Sequence, residues 1–333
     1  MTPSGEDLPP AEVSAPAAPR PHGSEGGAGL VSVVIPTRNR PEAVCRAVAS
    51  VQAQTYREFE IIVVIDGKDP ATMSALERLG EPRLKVIAHE TNQGPGAARN
   101  TGIRAAAGHW VAFLDDDDEW LPRKLERQVA EARLLGDGNA ILTCRVHAEF
   151  GSQRMVWPAR RPQAGQHVSE YLIDRPTLMS RPGYVATPTI MVRRDLALAH
   201  PFPNDGDHED WSWLLLLCGE AGARLHFVWE PLVVVKISET LSSRSHRNEW
   251  RTSLDWARKY RHLMTRMAFA SFVLTKVAGR ARRAREWKAF PEILATSFRL
   301  GSPRLRHLIV FAGTWLLPVK GVQKMFTRAL SWA

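Results

Sequence analysis

Cysteine is scarce in this chain: Cys45, Cys144 and Cys218 are the only three in 333 residues, and no C-x-x-C pair occurs. An odd, widely spaced set argues against a disulfide framework and against a cysteine-based structural zinc site. It points to a reduced, cytoplasmic interior in which each thiol packs as a small apolar group. Nowhere do about 18 apolar residues run together, as a membrane-spanning helix needs. The longest apolar stretch, Leu308 to Val319, is about 12 residues long and contains Gly and Pro. The first residues show neither a basic segment nor an apolar one behind it, so no secretory signal is expected. With 44% hydrophobic and 24% charged residues, the composition is that of a globular protein with a sizeable core. Miniprotein, collagen-like and wholly disordered classes are excluded, and one large domain, alone or with an appendage, fits best.

The net charge of +9 conceals a segregation. From Arg258 onward sixteen Lys/Arg face two Asp/Glu, a net +14, whereas residues 1–257 carry −5. A basic tail of this kind suits an anionic membrane surface or a nucleic-acid backbone, and charge alone does not choose between them.

Residues 1–29 are dominated by Pro, Ala, Gly and Ser and read as a disordered leader, because they cannot bury enough apolar surface to offset chain entropy. Order is expected from Leu30. LVSVVIP reads as a buried parallel strand, residues 41–52 as a helix with Val44, Val48 and Val51 on one face, and FEIIVVID (59–66) as a second strand. A helix over 70–79, a strand over 84–89, a helix over 100–108 and a strand over 110–115 follow. The second half is less regular: strand then helix start over 187–195, a buried helix over 210–222, and one or two strands over 225–237. No internal repeat is present. Apolar strands alternating with short helices predict an α/β fold, a Rossmann-like, mostly parallel sheet flanked by helices. Ligands of such sheets sit beyond the carboxyl ends of the strands, here Pro36–Arg40, Asp66–Asp69 and Asp115–Glu119.

Three segments could carry chemistry. Asp115, Asp116, Asp117 and Asp118 crowd four carboxylates at a strand end; a hard divalent ion, Mg²⁺ or Mn²⁺, would relieve their repulsion and bridge to phosphate. An acidic turn capping a helix near Leu121 fits the same residues. No EF-hand spacing follows. NQGPGAARNTG (92–102) is a Gly-rich loop entering a helix: Gly94 and Gly96 allow close backbone approach, and Arg99 suits a forked phosphate contact. It matches neither phosphate-loop fingerprint, and a flexible loop with a surface Arg fits equally. HEDW (208–211) sets acidic residues at a helix start, where a carboxylate can serve as general base or as N-cap.

Taken in order, the strand-PTRNRP, strand-DG, NQGPGAARN, FLDDDDEW and HEDW segments resemble the family 2 nucleotide-sugar glycosyltransferases of GT-A fold, from about Val31 to Ser242. The resemblance implies a catalytic domain over 30–245, divided into a nucleotide half (30–120) and an acceptor half (121–245), followed by a basic helical extension (246–333). It implies nucleotide-sugar contacts from Pro36, Thr37, Arg38, Asn39 and Arg40, with Asp66 at the base edge and Gly94, Arg99, Asp115 and Asp116 around the nucleotide and ribose. The D-x-D element falls on Asp115 and Asp117, with Asp117 the metal ligand; Asp210 matches the catalytic base and Glu209 its acidic neighbour. The activity so implied is metal-dependent, inverting transfer of a sugar from a nucleotide donor, UDP-sugars favoured, to a glycan or lipid-linked acceptor hydroxyl in cell-surface glycan synthesis. Single in-line displacement needs no covalent enzyme intermediate: metal neutralises the leaving diphosphate and Asp210 takes the acceptor proton.

Two departures stand out. Ile65 and Asp66 occupy the family's paired aspartates, with Lys68 where a Ser follows, and this weakens the preference for uridine. Lys236, Ile237 and Ser238 replace the R-x-H element, and His246 lies near it in sequence. Residues 258–333 fall outside the resemblance. Their tryptophans, counted with nearby Trp256 as Trp256, Trp287, Trp315 and Trp332, suit helices lying in a membrane interface, placing the protein peripherally on the inner face, or helices packed on the catalytic domain or a partner. The rival functions are a nucleotidyltransferase on a similar fold, a glycosyltransferase-like binding module without turnover, and a nucleic-acid binder acting through the tail. Against the last, no helix-turn-helix, zinc or RNP-type motif occurs, so no nucleic-acid partner is expected.

Overall fold

All seven residues of β1 (Val31–Thr37) are buried, because the strand is central and covered on both faces. It lies in parallel register between β2 (Phe59–Ile65) and β4 (Trp110–Phe113), and β3 (Leu84–Ala88) extends the ladder beyond β2. The structure, a computed structural model, describes residues 29–136, 138–178, 180–237 and 249–317. The expected leader therefore lies outside the described residues apart from residue 29, as do Ser238, His246 and Trp332.

Five more strands, β5 (Glu119–Trp120), β6 (Ala140–Phe150), β7 (Gln153–Trp157), β8 (Met191–Arg193) and β9 (Arg224–Lys236), complete one sheet. Its order is β3-β2-β1-β4-β8-β6-β9-β5, with β7 paired to β6. The half from β1 to β4 is wholly parallel. Beyond β4 the ladder turns antiparallel through β8, and β6 and β9 then run parallel. Where one or two strands were expected over 225–237, β9 is a single strand despite Pro231, because the β6–β9 register shifts around Arg145, the residue opposite that proline, and the ladder needs no donor there.

Alternation along β1 feeds two cores. Val33 and Ile35 pack with Val44, Val48 and Val51 of α1 (Pro41–Gln52) and Val129 of α4 (Lys124–Leu135). Val34 faces the other way, onto α3 (Pro95–Ala105), whose helix starts five residues before the expected Asn100. Gly102 makes that contact: a Cβ there would meet Val34 Cγ1 at 2.3 Å, so any larger residue pushes α3 off the sheet. The shorter helices are α2 (Pro70–Glu77), α5 (Val168–Ile173) and α6 (Arg194–Ala199), followed by α7 (Glu209–Gly219).

The second core also takes in the helices after residue 249: α8 (Trp250–Lys259), α9 (Arg266–Phe272), α10 (Ala278–Arg283), α11 (Ala289–Leu300) and α12 (Leu305–Leu316). A π-helical turn, Val273–Val277, joins α9 to α10. Trp256 is buried against His208 and Phe272, and its Nε1 donates to Ser212 Oγ at 2.7 Å. Trp315 is likewise buried, edge-on to Phe290 and tilted against Trp287. Of the two expected placements, membrane interface or packing on the catalytic domain, both tryptophans take the packed one, Trp256 against Trp211 and Ser212 of α7 and Trp315 against Phe290 of α11. Trp287 is 54% exposed.

Trp256→Ala is expected to destabilise the fold by about 3–5 kcal/mol, as loss of a core aromatic does, and Trp287→Ala by less than about 1 kcal/mol. Chemical denaturation of the two variants checks both.

Candidate active site

Parallel register aligns the carboxyl ends of β1, β2 and β4, and the chain leaves each through a polar turn. At β1, Thr37 Oγ1 donates to Asp116 Oδ2 at 2.7 Å, and Arg40 Nη1 donates to Asp116 Oδ1 at 2.9 Å and Asp117 Oδ2 at 3.0 Å. Pro36 is buried inside the strand; Arg38 and Asn39 are exposed at the rim, Asn39 with φ 53° and its N–H on Asp69. Asp69 caps α2 through Thr72 N. Burial raises the Asp116 carboxyl, and the bonds from Thr37 and Arg40 only partly offset it.

At β2, both oxygens of Asp66 are engaged by the chain: Oδ1 accepts from Gln93 N and lies 3.0 Å from His89 Nδ1, and Oδ2 accepts from Gly94 N at 2.8 Å. Asp66 therefore fastens the Gly-rich loop. Gly94, at φ 95°, is the residue preceding α3, a backbone conformation that a side chain would strain. His89, which also contacts Thr101 Oγ1 at 2.9 Å, escaped the sequence reading, although it directly follows β3.

Arg99 is the centre of the site. Only 5% exposed, it donates to Glu209 Oε1 and to Asp115 Oδ1, each at 2.6 Å. Glu209 Oε2 also accepts from Gly96 N at 3.2 Å. One guanidinium thus ties the Gly-rich helix, the Asp run and the start of α7 together. Burial disfavours the cation, but the two carboxylates outweigh it and its pKa rises. A flexible loop with a surface arginine is excluded.

The run Asp115–Asp118 does not cap a helix, because β5 intervenes and α4 begins only after Arg123. Asp118, which accepts from Lys236 N at 3.2 Å, is buried, and its pKa is raised well above the carboxylate range by burial and then by Asp115 and Asp117. Among the described residues no three His, Cys, Asp or Glu side chains converge as a preformed cage. Mg²⁺-type ions need only one or two protein carboxylates when a diphosphate supplies the remaining oxygens. Asp115 and Asp117 have that chemistry, and the crowding of four carboxylates, which together with burial pushes Asp118 up, is an imbalance a divalent cation would correct.

Asp115, Asp118 and Asp210 line one end of a cavity of about 1830 Å³. Asp210, in the first turn of α7, accepts locally from Trp211 N at 2.8 Å, and burial lifts its pKa to about 6. A carboxyl held there is mostly ionised at neutral pH and basic enough to take a proton. Tyr184, on the same cavity, has its pKa raised by burial and by Asp118, Asp210 and Asp115.

With this geometry, comparison with known proteins is informative. Residues 32–197 match the family model for glycosyl transferase family 2. The UDP-Glc:alpha-D-GlcNAc-diphosphoundecaprenol beta-1,3-glucosyltransferase WfgD of Escherichia coli is 27% identical over 188 residues, 56% of this chain and 70% of its own length. The amylovoran biosynthesis glycosyltransferase AmsB of Erwinia amylovora is 27% identical over 244 residues, 71% and 79% of the two chains. Among solved structures, S. aureus TarS 1-349 in complex with UDP-GlcNAc superposes with TM-score 0.54 at 20% identity, covering 90% of this chain and 79% of that one. The mannosyltransferase PcManGT from Pyrobaculum calidifontis, in complex with GDP-Man and Mn²⁺, gives TM-score 0.53 at 16% identity, with 91% and 84% covered.

The raised pKa of Asp210 makes a stability prediction. An acid whose pKa is higher folded, about 6, than unfolded, 3.8, stabilises the fold below pH 3.8 and loses that contribution as pH rises through 6. Asp210→Asn is therefore expected to match the parent near pH 4 and to exceed it by about 1–2 kcal/mol at pH 8, the carboxylate's access to cavity solvent keeping the gain small. Denaturation at the two pH values checks this.

Proposed function

Since the chain belongs to glycosyl transferase family 2 and is a glycosyltransferase of GT-A fold, we propose that it catalyses metal-dependent, inverting sugar transfer with Asp210 as base. The observation that carries this reading is the meeting of Asp115, Asp118 and Asp210 at one end of a single cavity, with Arg99 locking Asp115 to Glu209 beside it. The donor is a nucleotide sugar, for which a UDP-sugar is favoured, and the acceptor a glycan or lipid-linked sugar; the names of WfgD and AmsB support a role in surface polysaccharide synthesis.

Asp117, with Asp115, would hold Mg²⁺ or Mn²⁺. When bound, that ion neutralises charge on the departing nucleoside diphosphate. Thr37 and Arg40 fix Asp116 on the nucleotide side, with Arg38 and Asn39 forming the rim. Asp66 holds Gly94 and the loop against which the nucleotide rests. Arg99 and Glu209 keep the two halves of the site in register. Asp210 removes the proton of the acceptor hydroxyl as it attacks the anomeric carbon from the face opposite the leaving group, which inverts that centre in one displacement.

The exposed apolar residues of α11 and α12, Phe298, Leu305, Ile309 and Leu316, support peripheral contact of the basic extension with an anionic membrane. Among the described residues no helix is long and apolar enough to cross a membrane.

Asp117→Ala is expected to abolish Mn²⁺-dependent binding of UDP in calorimetric titration, while Asp210→Asn binds UDP normally and transfers sugar at least about 10³-fold more slowly. Parental transfer would have to fall as pH drops through about 6, the range in which Asp210 takes up a proton; transfer by Asp210→Asn at the parental rate would remove the base from that position. Leu305→Glu with Leu316→Glu is expected to lower co-sedimentation with phosphatidylglycerol vesicles at least about threefold; unchanged pelleting would count against α12 as the contact.

A further inference from the structure

Asp210 sits in the first turn of α7, and no side chain caps that helix. Its direction is therefore set by what grips the chain on the way in, residues 202–208. On one side the grip comes from α3, where Asn100 bonds both the N–H and the carbonyl of Phe202, each at 2.8 Å. On the other side it comes entirely from the helices after residue 249. Asp205 accepts from Lys259 Nζ at 2.7 Å and from the Tyr260 hydroxyl. Trp256 Nε1 donates to Ser212 Oγ, which in turn donates to His208 O at 2.9 Å. The π-helical turn adds Lys276, whose Nζ lies 5.6 Å from the centre of the Trp211 ring.

Arg280 of α10 makes the contacts nearest to Asp210. Its Nη1 donates to Asp207 Oδ2 at 3.2 Å and to Ser253 Oγ at 2.7 Å, and Ser253 Oγ lies 3.1 Å from His208 Nε2. One buried nitrogen thus holds two successive residues, Asp207 directly and His208 through a serine. Arg280 is 7% exposed, so the Asp207 pair is kept from water and costly to break. The His208 ring packs among Trp211, Trp256 and Phe272. Burial and then Arg280 push its imidazole down to about 3, so the ring stays neutral over the range in which Asp210 titrates and the hold does not change there. The charged groups acting on Asp210 itself are Arg99, Glu209 and Asp115, while Lys276 and Tyr184 feel its charge from across the cavity.

We propose that Arg280 is a positioning residue for sugar transfer: by gripping Asp207 directly and His208 through Ser253, it sets the start of α7 and with it the direction of Asp210. The helices after residue 249 are on this view a working part of the site and not an appendage. The inference rests on the reading of Asp210 as the base.

The test uses the full chain with EDTA present and needs no substrate. In Arg280→Gln, amide hydrogen exchange over residues 205–213 is expected to quicken at least about tenfold, with exchange over β1 and β2 unchanged. The second readout is the stability gained at pH 8 over pH 4 on changing Asp210 to Asn, measured in the parent and in Arg280→Gln. In the parent this gain is about 5–30-fold in the folding constant. In Arg280→Gln it is expected to fall below about twofold, because a loosened helix start lets the carboxylate turn to water and its pKa return toward 3.8. Were Arg280 only a nearby charge, its removal would raise that pKa and enlarge the gain; were it only a distant brace, the gain would stay as it was. Either result, unchanged exchange over 205–213, or no gain in the parent overturns the proposal. Asp207→Asn, which removes the charge Arg280 grips, is expected to give the same fall and keeps the test open should Arg280→Gln fail to fold. An unchanged gain with Asp210→Asn inactive in transfer sinks the role of Arg280 and leaves the base standing. A lost gain with Asp210→Asn transferring at the parental rate removes the base and leaves the hold of Arg280 on α7.

Discussion

Repulsion among carboxylates at the end of β4 is the constraint around which this molecule is arranged. Asp115 to Asp118 leave the sheet in succession, and each is answered differently: Asp115 by Arg99, Asp116 by Thr37 and Arg40, Asp117 by Arg40, and Asp118 by a backbone N–H in a buried setting that pushes its carboxyl up. These answers come from β1, α3 and β9, elements far apart in sequence, so balancing the charge also brings the pieces of the fold together. Arg99 does most, since its second contact to Glu209 orients the helix that carries Asp210.

That balance explains the asymmetry of the cavity. Negative charge in it is confined to Asp115, Asp118 and Asp210, whereas the cations come from residues 145–181 and, in Lys276, Arg282 and Arg283, from the helices after residue 249. A molecule lying in the cavity is oriented by field as well as by shape, since the cavity's two kinds of wall attract opposite charges.

The parallel half was legible in the sequence because its physics is local. A strand buried on both faces must be apolar throughout, and the turns that end such strands gather the polar residues, so Thr37, Arg40, Asp66 and Asp115–Asp118 stood out in order. Arg99 and Glu209 were named but not their bond, which joins residues 110 positions apart. What stayed hidden depends on non-local packing. Whether Pro231 breaks a strand turns on a register shift in its neighbour. Whether Trp256 faces lipid or core turns on the bare side of α7. His89 and Lys276 carry no motif; the one is defined by Asp66 across the sheet and the other by a π turn that no apolar periodicity announces.

One core, running from Val34 through Phe113 and Trp213 to Trp256, Phe272 and Trp315, joins the family-matching part of the chain to the helices behind it. For protein engineering this fixes where a chimera can be cut. A graft that exchanges only the helices after residue 249, in the hope of importing another enzyme's acceptor preference, severs this core through its middle and leaves Trp211 and Ser212 facing foreign side chains. The portable unit is the set of surfaces that pack together, so the wall after α5, helix α7 and the later helices would have to travel as one piece.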